Sequence, residues 1–439
     1  MRKVVKFGGS SLASARQFKK VKAIITSDKT RCFVIPSAPG KRDAKDIKVT
    51  DLLYQCYEAA STGQSYKRTL SLIRKRFEDI IEGLELSLNL DFEFKKIEEN
   101  FVKKVGREYA ASRGEYLNGI VMAEYLGFPF IDAAEVICFD QDGSFLPEKT
   151  NEELRLRLST VKQAVIPGFY GAKPDGSITT FSRGGSDVTG SLVARAIHAD
   201  LYENWTDVSG FLVADPRIVD NPAPIGTITY RELRELSYMG ASVLHEDSIF
   251  PVRKEGIPIN IRNTNRPDDP GTMIVENTTK KSPFTITGVA GKKGFCSVII
   301  DKAMMNSEIG FGRKVLEVFE KNNISFEHMP SGIDTMSVLV HQDDFQEKEQ
   351  AVISGINRAV HPEVVELESD LALIAVVGRS MKANRGTAAR IFAALSHARI
   401  NIKMIDQGSS ELNIIIGVAN DDFENAIRAI YDIFVTTAL

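Results

Sequence analysis

The sequence predicts an α/β protein with a mainly parallel sheet, followed by two smaller α+β units. Up to about residue 284, apolar runs of strand length alternate with segments of helical spacing, which is typical of a parallel sheet covered on both faces. Beyond that residue, one pattern of strands and helices occurs twice. The length of 439 residues also exceeds what one hydrophobic core usually organises, so two or three domains are expected.

Short apolar runs bounded by polar or turn residues predict the strands of the first region. In chain order they are KVVKF (3–7), CFVIPS (32–37), FPFIDA (128–133), QAVIPG (163–168), DLYENW (200–205) and IPINIR (257–262). Apolar residues three and four positions apart predict its main helices, namely 14–28, 49–62, 186–199 and 231–239. The charged segment 64–127 is expected to leave the sheet as a helical excursion, and 267–283 to supply a final strand and a linker.

The second region consists of two similar copies. KVLEVFEKNNISFEHMPSG (314–332) parallels RIFAALSHARINIKMIDQG (390–408) with an offset of 76, and a DDF triplet at 343–345 has its counterpart at 421–423. Each copy is predicted as strand, helix, strand, strand, helix, strand, and two such units can pair through their sheets. Similar patterns also arise by chance in α+β folds, but the matched glycines and the DDF pair favour a duplication. The expected domains are 1–283, 284–365 and 366–439.

Composition and charge argue against several classes of protein. The net charge of −3 argues against a nucleic-acid partner or an anionic membrane surface. The longest apolar stretches, such as LALIAVV at 371–377, are too short to span a bilayer, and the N-terminus has no signal-peptide core, so a cytoplasmic location is expected. Cys138 and Cys296 lie in apolar runs and are predicted as core thiols of a reducing compartment. The scattered cysteines and histidines show no metal-ligand spacing.

Two glycine-rich turns lie between a predicted strand and a predicted helix. KFGGSS (6–11) ends the first strand, and SRGGSD (182–187) leads into the helix at 186–199. A glycine pair lets backbone N–H groups face a bound anion, and the following helix adds its positive N-terminus. Lys6 can reach the same point, and the planar guanidinium of Arg183 suits a carboxylate.

Each turn also has a plain structural interpretation. A strand–Gly–Gly–helix segment is commonly no more than a turn, Ser186 is suited to the N-cap of its helix, and Asp187 to the first helical turn. The chain has no P-loop pattern, and no G-x-G-x-x-G follows a strand. A third stretch, WTDVSGFLVADPR (205–217), ends a strand in polar turns and completes the set of anion-friendly segments.

In order and spacing, these motifs resemble those of the aspartokinases, which have the amino-acid kinase fold. The matching segments are KFGGSS, PSAPGK (36–41), TDLL (50–53), RGEYLN (113–118), SRGGSD, WTDVSGFLVADPR, ELSYMGASVLH (235–245) and IRNTNRPDDPGT (261–272). The resemblance covers essentially the whole chain, and it implies a three-layer amino-acid kinase domain followed by two ferredoxin-like ACT domains. Because the chain ends just after the second unit, we expect a monofunctional enzyme without the homoserine dehydrogenase that some relatives carry.

The resemblance implies an aspartate kinase that transfers the γ-phosphoryl group of ATP to the β-carboxylate of L-aspartate. The product is 4-phospho-L-aspartate, in the first step of lysine, threonine and methionine biosynthesis. A carboxyl group with a pKa of roughly 4 is already ionised, so the reaction needs no general base. It needs fixed positive charge, aligned donors and the Mg²⁺ that accompanies ATP, and no metal site made by the protein alone is expected.

Matching the motifs residue by residue gives the expected site. The catalytic residues are Lys6, Gly8, Gly9 and Asp187. The aspartate-binding residues are Ser37, Thr50, Glu115, Arg183 and Ser186. The ATP-binding residues are Lys6, Gly8, Gly9, Ser10, Thr206, Asp207, Leu212 and Arg217. Arg183 is expected to pair with the α-carboxylate of aspartate, Glu115 with its ammonium group, and Asp187 is expected to orient Lys6.

Several of these residues have weaker interpretations. Taken alone, Glu115 is better explained as a solvated helix acid, and Ser37 and Thr50 as a turn residue and a helix N-cap. The conjunction of motifs reverses this preference for Glu115 and, less strongly, for the two hydroxyl residues. Three residues also depart from the family pattern, replacing a commoner aromatic residue, lysine and serine in turn: Leu212, Ser242 and Asn118. We expect the first two departures to affect how ATP is held and not the reaction.

The duplicated tail is expected to be regulatory. Aspartokinases are commonly inhibited by end products, and a monofunctional chain with two ACT units suggests L-lysine as the effector, with threonine as the alternative. The expected effector residues lie in the first copy and are Met305, Ser307, Gly310, Glu327, His328 and Ser331. Glu327 is equally a solvated strand residue, and Met304 and Met305 are equally core packing. We expect a homodimer or a dimer of dimers through residues 284–439.

Two other functions compete with an active aspartokinase. One is another kinase of the same fold, acting on glutamate, acetylglutamate or a nucleoside monophosphate, and the GEYLN and GASVLH motifs together with the ACT-like pair argue against it. The other is a non-catalytic amino-acid sensor built on an inactive kinase. The joint presence of four charged site residues argues against that alternative: Lys6, Arg183, Glu115 and Asp187.

Overall fold

The computed structural model describes residues 1–182, 184–241, 244, 246–280 and 282–437. The chain folds into two compact units, and each contains segments from several parts of the sequence. The first unit comprises Met1–Phe211, Pro224–Tyr230 and Val243–Thr278, and the second comprises Leu212–Ala223, Arg231–Ser242 and Thr279–Leu439. The expected domain boundaries after 283 and 365 stay predictions.

Strands and helices are numbered in chain order. The strands are β1 Lys3–Phe7, β2 Arg31–Pro36, β3 Ala164–Val165, β4 Tyr170–Ala172, β5 Ile178–Thr180, β6 Leu201–Thr206, β7 Thr227–Thr229, β8 Ile259–Asn263, β9 Thr272–Val275, β10 Gly288–Asp301, β11 Thr335–His341, β12 Val364–Val377, β13 Met404–Asp406 and β14 Asn413–Ala419. The α-helices are α1 Ala15–Thr26, α2 Val49–Ser61, α3 Lys67–Gly83, α4 Asp91–Val102, α5 Arg107–Leu126, α6 Ala133–Val136, α7 Pro147–Ser159, α8 Gly185–Ala196, α9 Tyr230–Tyr238, α10 Glu246–Lys254, α11 Phe311–Lys321, α12 Gln342–Gln346, α13 Glu349–Val360, α14 Thr387–His397 and α15 Phe423–Tyr431.

The first unit is built on a sheet with the strand order β3-β2-β1-β6-β8-β9-β7. The strands from β3 to β8 in this order run parallel, and β9 and β7 run antiparallel to them. The predicted α/β class with a mainly parallel sheet is therefore confirmed. The predicted strand at 128–133 is wrong, because Phe130 makes only a single bridge to Val165 and Pro129 has no N–H to donate to a ladder.

Helices cover this sheet because their apolar faces join its core. The segment 64–127 forms α3, α4 and α5, as predicted, and their buried Phe77, Phe94 and Leu117 share one hydrophobic cluster with Val5 of β1. β1 is hydrogen-bonded to β2 on one side and to β6 on the other. A strand that is buried on both faces and paired on both sides fixes where its own carboxyl end lies, and the predicted site begins there.

The second unit contains an antiparallel sheet with the strand order β11-β10-β12-β14-β13. β10 and β12 are each 14 residues long and pair from Gly288 opposite Val377 to Asp301 opposite Val364. Because both long strands serve both copies of the repeat, the copies share one continuous sheet. Helix α11 packs against α13 in the first copy, and α14 packs against α15 in the second, so the predicted α+β class of the tail is confirmed.

Two segments that precede the duplicated tail in sequence pack within the second unit. In 212–223, the N–H of Ala223 donates to Oη of Tyr431 in α15 at 2.9 Å. In 231–242, the carboxylate of Glu232 pairs with the Arg379 guanidinium at 2.9 Å. These contacts explain why the second unit begins earlier in the sequence than the repeat does.

Two further expectations concerned the burial of the cysteines and the absence of membrane-spanning segments. Cys296 is fully buried, as predicted, and burial raises the pKa of its thiol to about 12. The prediction of Cys138 as a core thiol is wrong, because this residue forms a bridge to Ala172 and is only half-buried. Within the part of the chain that the structure describes, no helix is long and apolar enough to cross a membrane.

Candidate active site

Three predicted site segments meet at one edge of the parallel sheet. The neighbouring strands β1, β2 and β6 are followed by Gly8, Ser37 and Asp207. The N–H of Gly8 donates to the carbonyl of Trp205 at 3.0 Å, and the N–H of Ser37 donates to the carbonyl of Phe7 at 3.0 Å. The three strand ends are therefore tied together, at the edge where open parallel sheets bind their ligands.

An acidic and an amide side chain hold the ammonium group of Lys6. Its Nζ lies 2.6 Å from Oδ1 of Asp187 and 3.5 Å from Oδ1 of Asn204, whose Nδ2 donates to the same Asp187 oxygen at 2.7 Å. Lys6 is only 8% exposed, so water screens its charge little. The structure thus brings two predicted catalytic residues together and adds Asn204, which the sequence analysis missed. In the sequence, Asn204 could have been noticed as a polar residue within an apolar strand. In the structure, it pairs in register with Lys6 across β1 and β6.

The glycines of the first turn allow two backbone segments to touch. A side chain at Gly9 would meet the carbonyl oxygen of Ala38 at 2.9 Å, and one at Gly40 would meet the carbonyl carbon of Gly9 at 2.5 Å. The N–H of Gly40 also donates to the Gly9 oxygen at 2.8 Å. At Gly8, by contrast, a Cβ would make only ordinary contacts and would lie 3.8 Å from Nζ of Lys6. Gly9 therefore allows the turns after β1 and β2 to touch, and Gly8 lies beside the Lys6 ammonium.

Two buried polar side chains of α5 face the turn after β2. Glu115 is 6% exposed and accepts a hydrogen bond from the N–H of Ala38, and Asn118 is fully buried and donates from Nδ2 to the carbonyl of Ser37 at 2.6 Å. Gly114 makes this close approach possible, because a Cβ there would lie 2.8 Å from the Cβ of Ala38. The interpretation of Glu115 as a solvated helix acid is therefore wrong.

Burial changes the protonation of Glu115. Desolvation raises the pKa of its carboxyl group to about 8, and hydrogen bonds from the N–H groups of Ala38 and of Glu115 itself, together with the charge of Arg113, offset this only in part. Among the described residues, its Oε2 has no hydrogen-bond partner. A buried carboxyl group with one free oxygen is suited to a cationic ligand, because a nearby cation would favour the ionised form.

Two hydroxyl residues of the predicted aspartate site lie at helix starts, but neither is the N-cap. Helix α2 begins one residue before Thr50, and α8 begins one residue before Ser186. The interpretations of both as N-caps are therefore wrong. Gly184 precedes α8 with a φ of 56°, a left-handed conformation that glycine adopts without strain, and this allows the helix to begin early. Both hydroxyl residues thus lie among first-turn N–H groups that have no partner within the helix.

A strained turn after β3 packs against the start of α8. Phe169 has a φ of 81°, which is unusual for a residue with a side chain, and its N–H donates to Oγ1 of Thr189 at 3.1 Å. A Cβ at Gly185 would lie 2.5 Å from the Phe169 ring, and one at Gly168 would lie 2.6 Å from Cα of Ser186. This turn was not predicted from the sequence, because Pro and Gly are usual in loops and a phenylalanine with a left-handed backbone has no sequence pattern of its own.

The predicted ATP residues fall in both units. In the first unit, Thr206 ends β6 and Asp207 follows it, and Oγ1 of Thr206 donates to Oδ1 of Asp207 at 3.2 Å. The loop that follows is fixed by Ser209, whose Oγ donates to Oδ2 of Asp269 at 2.5 Å and accepts from Nδ2 of Asn263 at 3.0 Å. The exposed carboxylate of Asp207 thus sits on a well-held strand end.

The other predicted ATP-binding residues are less firmly held by their surroundings. Ser10 of the first unit is half-buried, and its carbonyl accepts from Nε2 of Gln17 at 3.2 Å. In the second unit Leu212 is half-buried, and the exposed guanidinium of Arg217 contacts Asp215 through Nε at 3.0 Å and Nη2 at 2.5 Å. Arg217 would have to leave this carboxylate in order to bind a phosphate group.

Two residues of the predicted site lie outside the described residues, namely Arg183 and Ser242. The pairing of Arg183 with the α-carboxylate of aspartate, and the effect of serine at 242, therefore stay predictions. Within the described ranges, no cluster of three or more histidine, cysteine, aspartate or glutamate side chains could hold a metal ion.

The expected effector residues belong to the second unit, and two of them are engaged in side-chain contacts. Oη of Tyr238 donates to Oε2 of Glu327 at 2.5 Å, and Nε2 of His341 lies 3.3 Å from Oε1. The Glu327 side chain is 7% exposed, so its interpretation as a solvated strand residue is wrong. Nδ1 of His328 lies 2.8 Å from Oδ2 of Asp406. An effector that binds Glu327 would therefore displace existing partners.

Most of the other expected effector residues lie at or before the start of α11. Helix α11 begins directly after Gly310, which has a φ of 81° at the N-cap. The interpretation of the methionine pair as core packing is right for Met305, which is buried, and wrong for Met304, which is 71% exposed. Two serines of the expected effector set are exposed, namely Ser307 and Ser331.

Comparisons with known proteins agree with the fold and with the motifs. Residues 1–263 match the model of the amino acid kinase family, and residues 374–434 match that of an ACT domain. Aspartokinase 3 of Bacillus subtilis is 40% identical over 98% of this chain and 98% of its own length. The crystal structure of Clostridium acetobutylicum aspartate kinase is 51% identical, covers 98% of this chain and 99% of that chain, and has a TM-score of 0.90.

A more distant structure shows the same fold. Escherichia coli aspartokinase III, crystallised in complex with lysine and aspartate, is 24% identical, covers 98% of this chain and 99% of that chain, and has a TM-score of 0.74. The match to the family model over more than half of the chain and the full-length similarity to the Bacillus protein carry the assignment. The chain therefore belongs to the amino acid kinase family and, within it, to the aspartokinases, which are ATP-dependent kinases acting on aspartate.

Proposed function

We propose that this aspartokinase transfers the γ-phosphoryl group of ATP to the β-carboxylate of L-aspartate, with Lys6 contacting the transferring group. The observation that carries this role is the Lys6 ammonium held at the carboxyl edge of β1 by Asp187 and Asn204. Both reactants are anionic, so a fixed cation offsets their repulsion and the charge that develops in the transition state. The product, 4-phospho-L-aspartate, would enter lysine, threonine and methionine biosynthesis.

Aspartate is proposed to bind where α5 meets the turn after β2. Ionised Glu115 would pair with the ammonium group, and its buried free oxygen supports this role. Ser37 and Thr50 would donate to the substrate carboxylates, and Ser186 would present its hydroxyl and N–H from the first turn of α8, where the helix dipole favours an anion. Arg183 completes the site as the proposed partner of the α-carboxylate.

ATP is proposed to bring Mg²⁺ on its phosphate oxygens, so that the protein supplies only donors and positive charge. Gly8, Gly9 and Ser10 would offer backbone N–H groups to the phosphates, and Thr206 and Asp207 would accept from the ribose or adenine. Leu212 and Arg217 are also proposed to contact ATP, Arg217 through a phosphate group.

The direct test of this function is ADP release by the purified protein with ATP, Mg²⁺ and a panel of amino acids. We expect turnover with aspartate alone. Turnover with glutamate or acetylglutamate instead would contradict the substrate, and amino-acid binding without turnover would favour the inactive sensor.

The KM for aspartate is expected to fall as the pH rises from about 6 to about 8, because Glu115 has to ionise before it binds an ammonium group. Burial raises the pKa of this carboxyl to about 8, so below that pH binding must release a proton. The KM should change by nearly tenfold per pH unit well below the pKa and level off above it. Initial rates at saturating ATP, measured across this pH range, provide the check.

Glu115→Gln is the matched variant for this pH effect. It should raise the KM for aspartate and lose its pH dependence, because an amide does not titrate. The same raised pKa means that wild-type stability declines as the pH rises from about 4.5 to about 8, and the variant should lose that decline as well. An unchanged slope in Glu115→Gln would assign the titration to another group.

The duplicated tail is proposed to bind L-lysine and thereby inhibit the kinase. The Escherichia coli relative has been crystallised with lysine and aspartate, which supports lysine as an effector in this family. We expect millimolar lysine to inhibit this enzyme more strongly than threonine. Binding is reciprocal, so aspartate or ATP should weaken the binding of lysine in turn. Inhibition curves with both amino acids provide the check.

Two variants test the position of the effector. Glu327→Ala should weaken lysine inhibition if this carboxylate meets the effector's amino group. Tyr238→Phe is the matched control, because it removes only the hydroxyl that now donates to Glu327. It should leave inhibition intact or strengthen it, since lysine would displace one partner fewer. Inhibition of Glu327→Ala that equals that of wild type would leave lysine as effector and remove Glu327 from its site.

The protein is proposed to assemble as a homodimer or a dimer of dimers through the ACT region. At one end of the sheet of the second unit, residues 327–332 are hydrogen-bonded along β11, and the other end is the short edge strand β13. Edge strands of this kind commonly pair between chains. Light scattering at micromolar concentration should therefore give a mass of at least two chains. A monomeric mass with and without lysine would contradict the proposal. The cytoplasmic location stays a prediction.

A further inference from the structure

Two buried oxygens on one turn of α5 have no hydrogen-bond partner among the described residues. They are Oε2 of Glu115 and Oδ1 of Asn118. The two residues are three positions apart, so their side chains lie on the same side of the helix. Buried polar atoms in folded proteins are nearly always paired, and two unpaired acceptors so close together require an explanation.

The orientation of the Asn118 amide is fixed by its neighbour. Its Nδ2 donates to the carbonyl of Ser37 at 2.6 Å, and a carbonyl oxygen can only accept, so the amide cannot be turned around without placing two oxygens against each other. Oδ1 must then face away from Ser37. Glu115 is anchored in the same way, through the N–H of Ala38. Each side chain thus uses one polar atom to hydrogen-bond the turn after β2 and keeps one acceptor oxygen unpaired.

The chemistry of the unpaired atoms indicates their ligand. Once Glu115 is ionised, both unpaired oxygens are acceptors, and they complement a group that carries several N–H bonds and no lone pair, such as a primary ammonium. A hydroxyl or a carboxylate ligand would leave at least one of the two oxygens unpaired. The turn that anchors both side chains contains Ser37, which is itself proposed to contact aspartate.

We propose that Oδ1 of Asn118 is a second acceptor for the substrate ammonium, beside Glu115, and so determines specificity for an amino acid over its deaminated analogue. This inference rests on the proposed role of Glu115. A serine, which is commoner at this position, would have to donate and accept through one hydroxyl oxygen, whereas the amide of Asn118 has a separate donor for Ser37 and a separate acceptor. The asparagine therefore gives this enzyme an ammonium site with one charged and one neutral oxygen.

The test compares Asn118→Leu with wild type, using aspartate as substrate and succinate, which lacks the amino group, as a competitive inhibitor. A hydrogen bond to a charged group is expected to be lost, so the KM for aspartate should rise by about tenfold. The Ki of succinate should change by less than about twofold, because succinate offers nothing to Oδ1. Met122→Leu, a volume-conserving change at a buried position one turn further along α5, is the matched control and should leave both constants unchanged.

Three results would decide against Asn118. A KM for aspartate like that of wild type would remove it from the ammonium site. A parallel weakening of aspartate and succinate binding would show that it only supports Ser37, and a raised KM for ATP with a lowered unfolding temperature would show general damage to α5.

Glu115→Gln separates this inference from the proposed function. If that variant keeps the discrimination between aspartate and succinate, the ammonium site on α5 is itself wrong. If Glu115→Gln loses the discrimination and Asn118→Leu keeps it, only the role of Asn118 fails.

Discussion

Lys6→Ala is expected to lower kcat by about 100- to 1,000-fold, because it removes a preorganised cation from the transferring phosphoryl group. The KM for aspartate should change by less than about threefold, since the lost contact is made mainly in the transition state. The side chain is 8% exposed and held by Asp187 at 2.6 Å, so no other described cation replaces it without a rearrangement of this pair. Steady-state kinetics with both substrates varied provide the measurement.

Lys6→Met separates the lost charge from lost packing. Methionine fills most of the space of the lysine stem, so its kcat should be as low as that of Lys6→Ala if charge is what matters. Both variants leave Asp187 without its cation, and Asn204 then remains its donor at 2.7 Å. A kcat near that of wild type in a folded Lys6→Met protein would end the assignment of Lys6 as the phosphoryl-binding group. A rise in the KM for aspartate without a fall in kcat would move Lys6 to substrate binding.

Local patterns predicted the strands that carry the site. KVVKF forms β1 over its predicted span, because a short apolar run of β-branched residues that ends in Gly-Gly defines the strand and its end. The polar partners of those strands were harder to predict. Asn204 reaches Lys6 only because β6 lies beside β1, and this strand pairing joins residues 198 positions apart. A single sequence contains no signal for such a pairing beyond the presence of a polar residue in an apolar strand.

The predictions of helix boundaries were wrong for a different reason. The residue type alone favours Ser186 as an N-cap, but Gly184 can adopt a left-handed conformation that places the cap two residues earlier. That the two ACT copies share one sheet could also not be predicted from local sequence patterns. Its continuity depends on β10 and β12 each running through 14 residues, whereas their sequence pattern is interrupted by Gly294 and Asp370, both of which have a positive φ. Tertiary pairing carries these strands across positions where propensity would end them.

Glu203→Leu is expected to lower the free energy of unfolding of the first unit by about 3–5 kcal/mol, because it leaves a buried guanidinium without its carboxylate partner. Arg31 and Glu203 are 7% and 1% exposed, and Nε lies 2.8 Å from Oε2 across β2 and β6. The same carboxylate accepts from Nε1 of Trp205 at 2.9 Å and lies 3.4 Å from Nζ of Lys3 on β1. One side chain thus joins the three strands whose ends form the site. A fall of roughly 6 °C or more in the thermal unfolding midpoint is the expected observation.

The double variant Arg31→Met/Glu203→Leu decides whether the loss comes from the unpaired charge. Replacing both partners by apolar residues should restore most of the stability, since a buried ion pair is often no better than a well-packed apolar pair. Losses that simply add would show that the side chains act independently. Side chains alternate across a strand, so Glu203 and Trp205 face the core below α1 to α5 while Asn204 faces Asp187. The folded fraction of Glu203→Leu should therefore keep the wild-type KM for aspartate, and a changed KM below the unfolding transition would mean that the network also sets the geometry around Lys6.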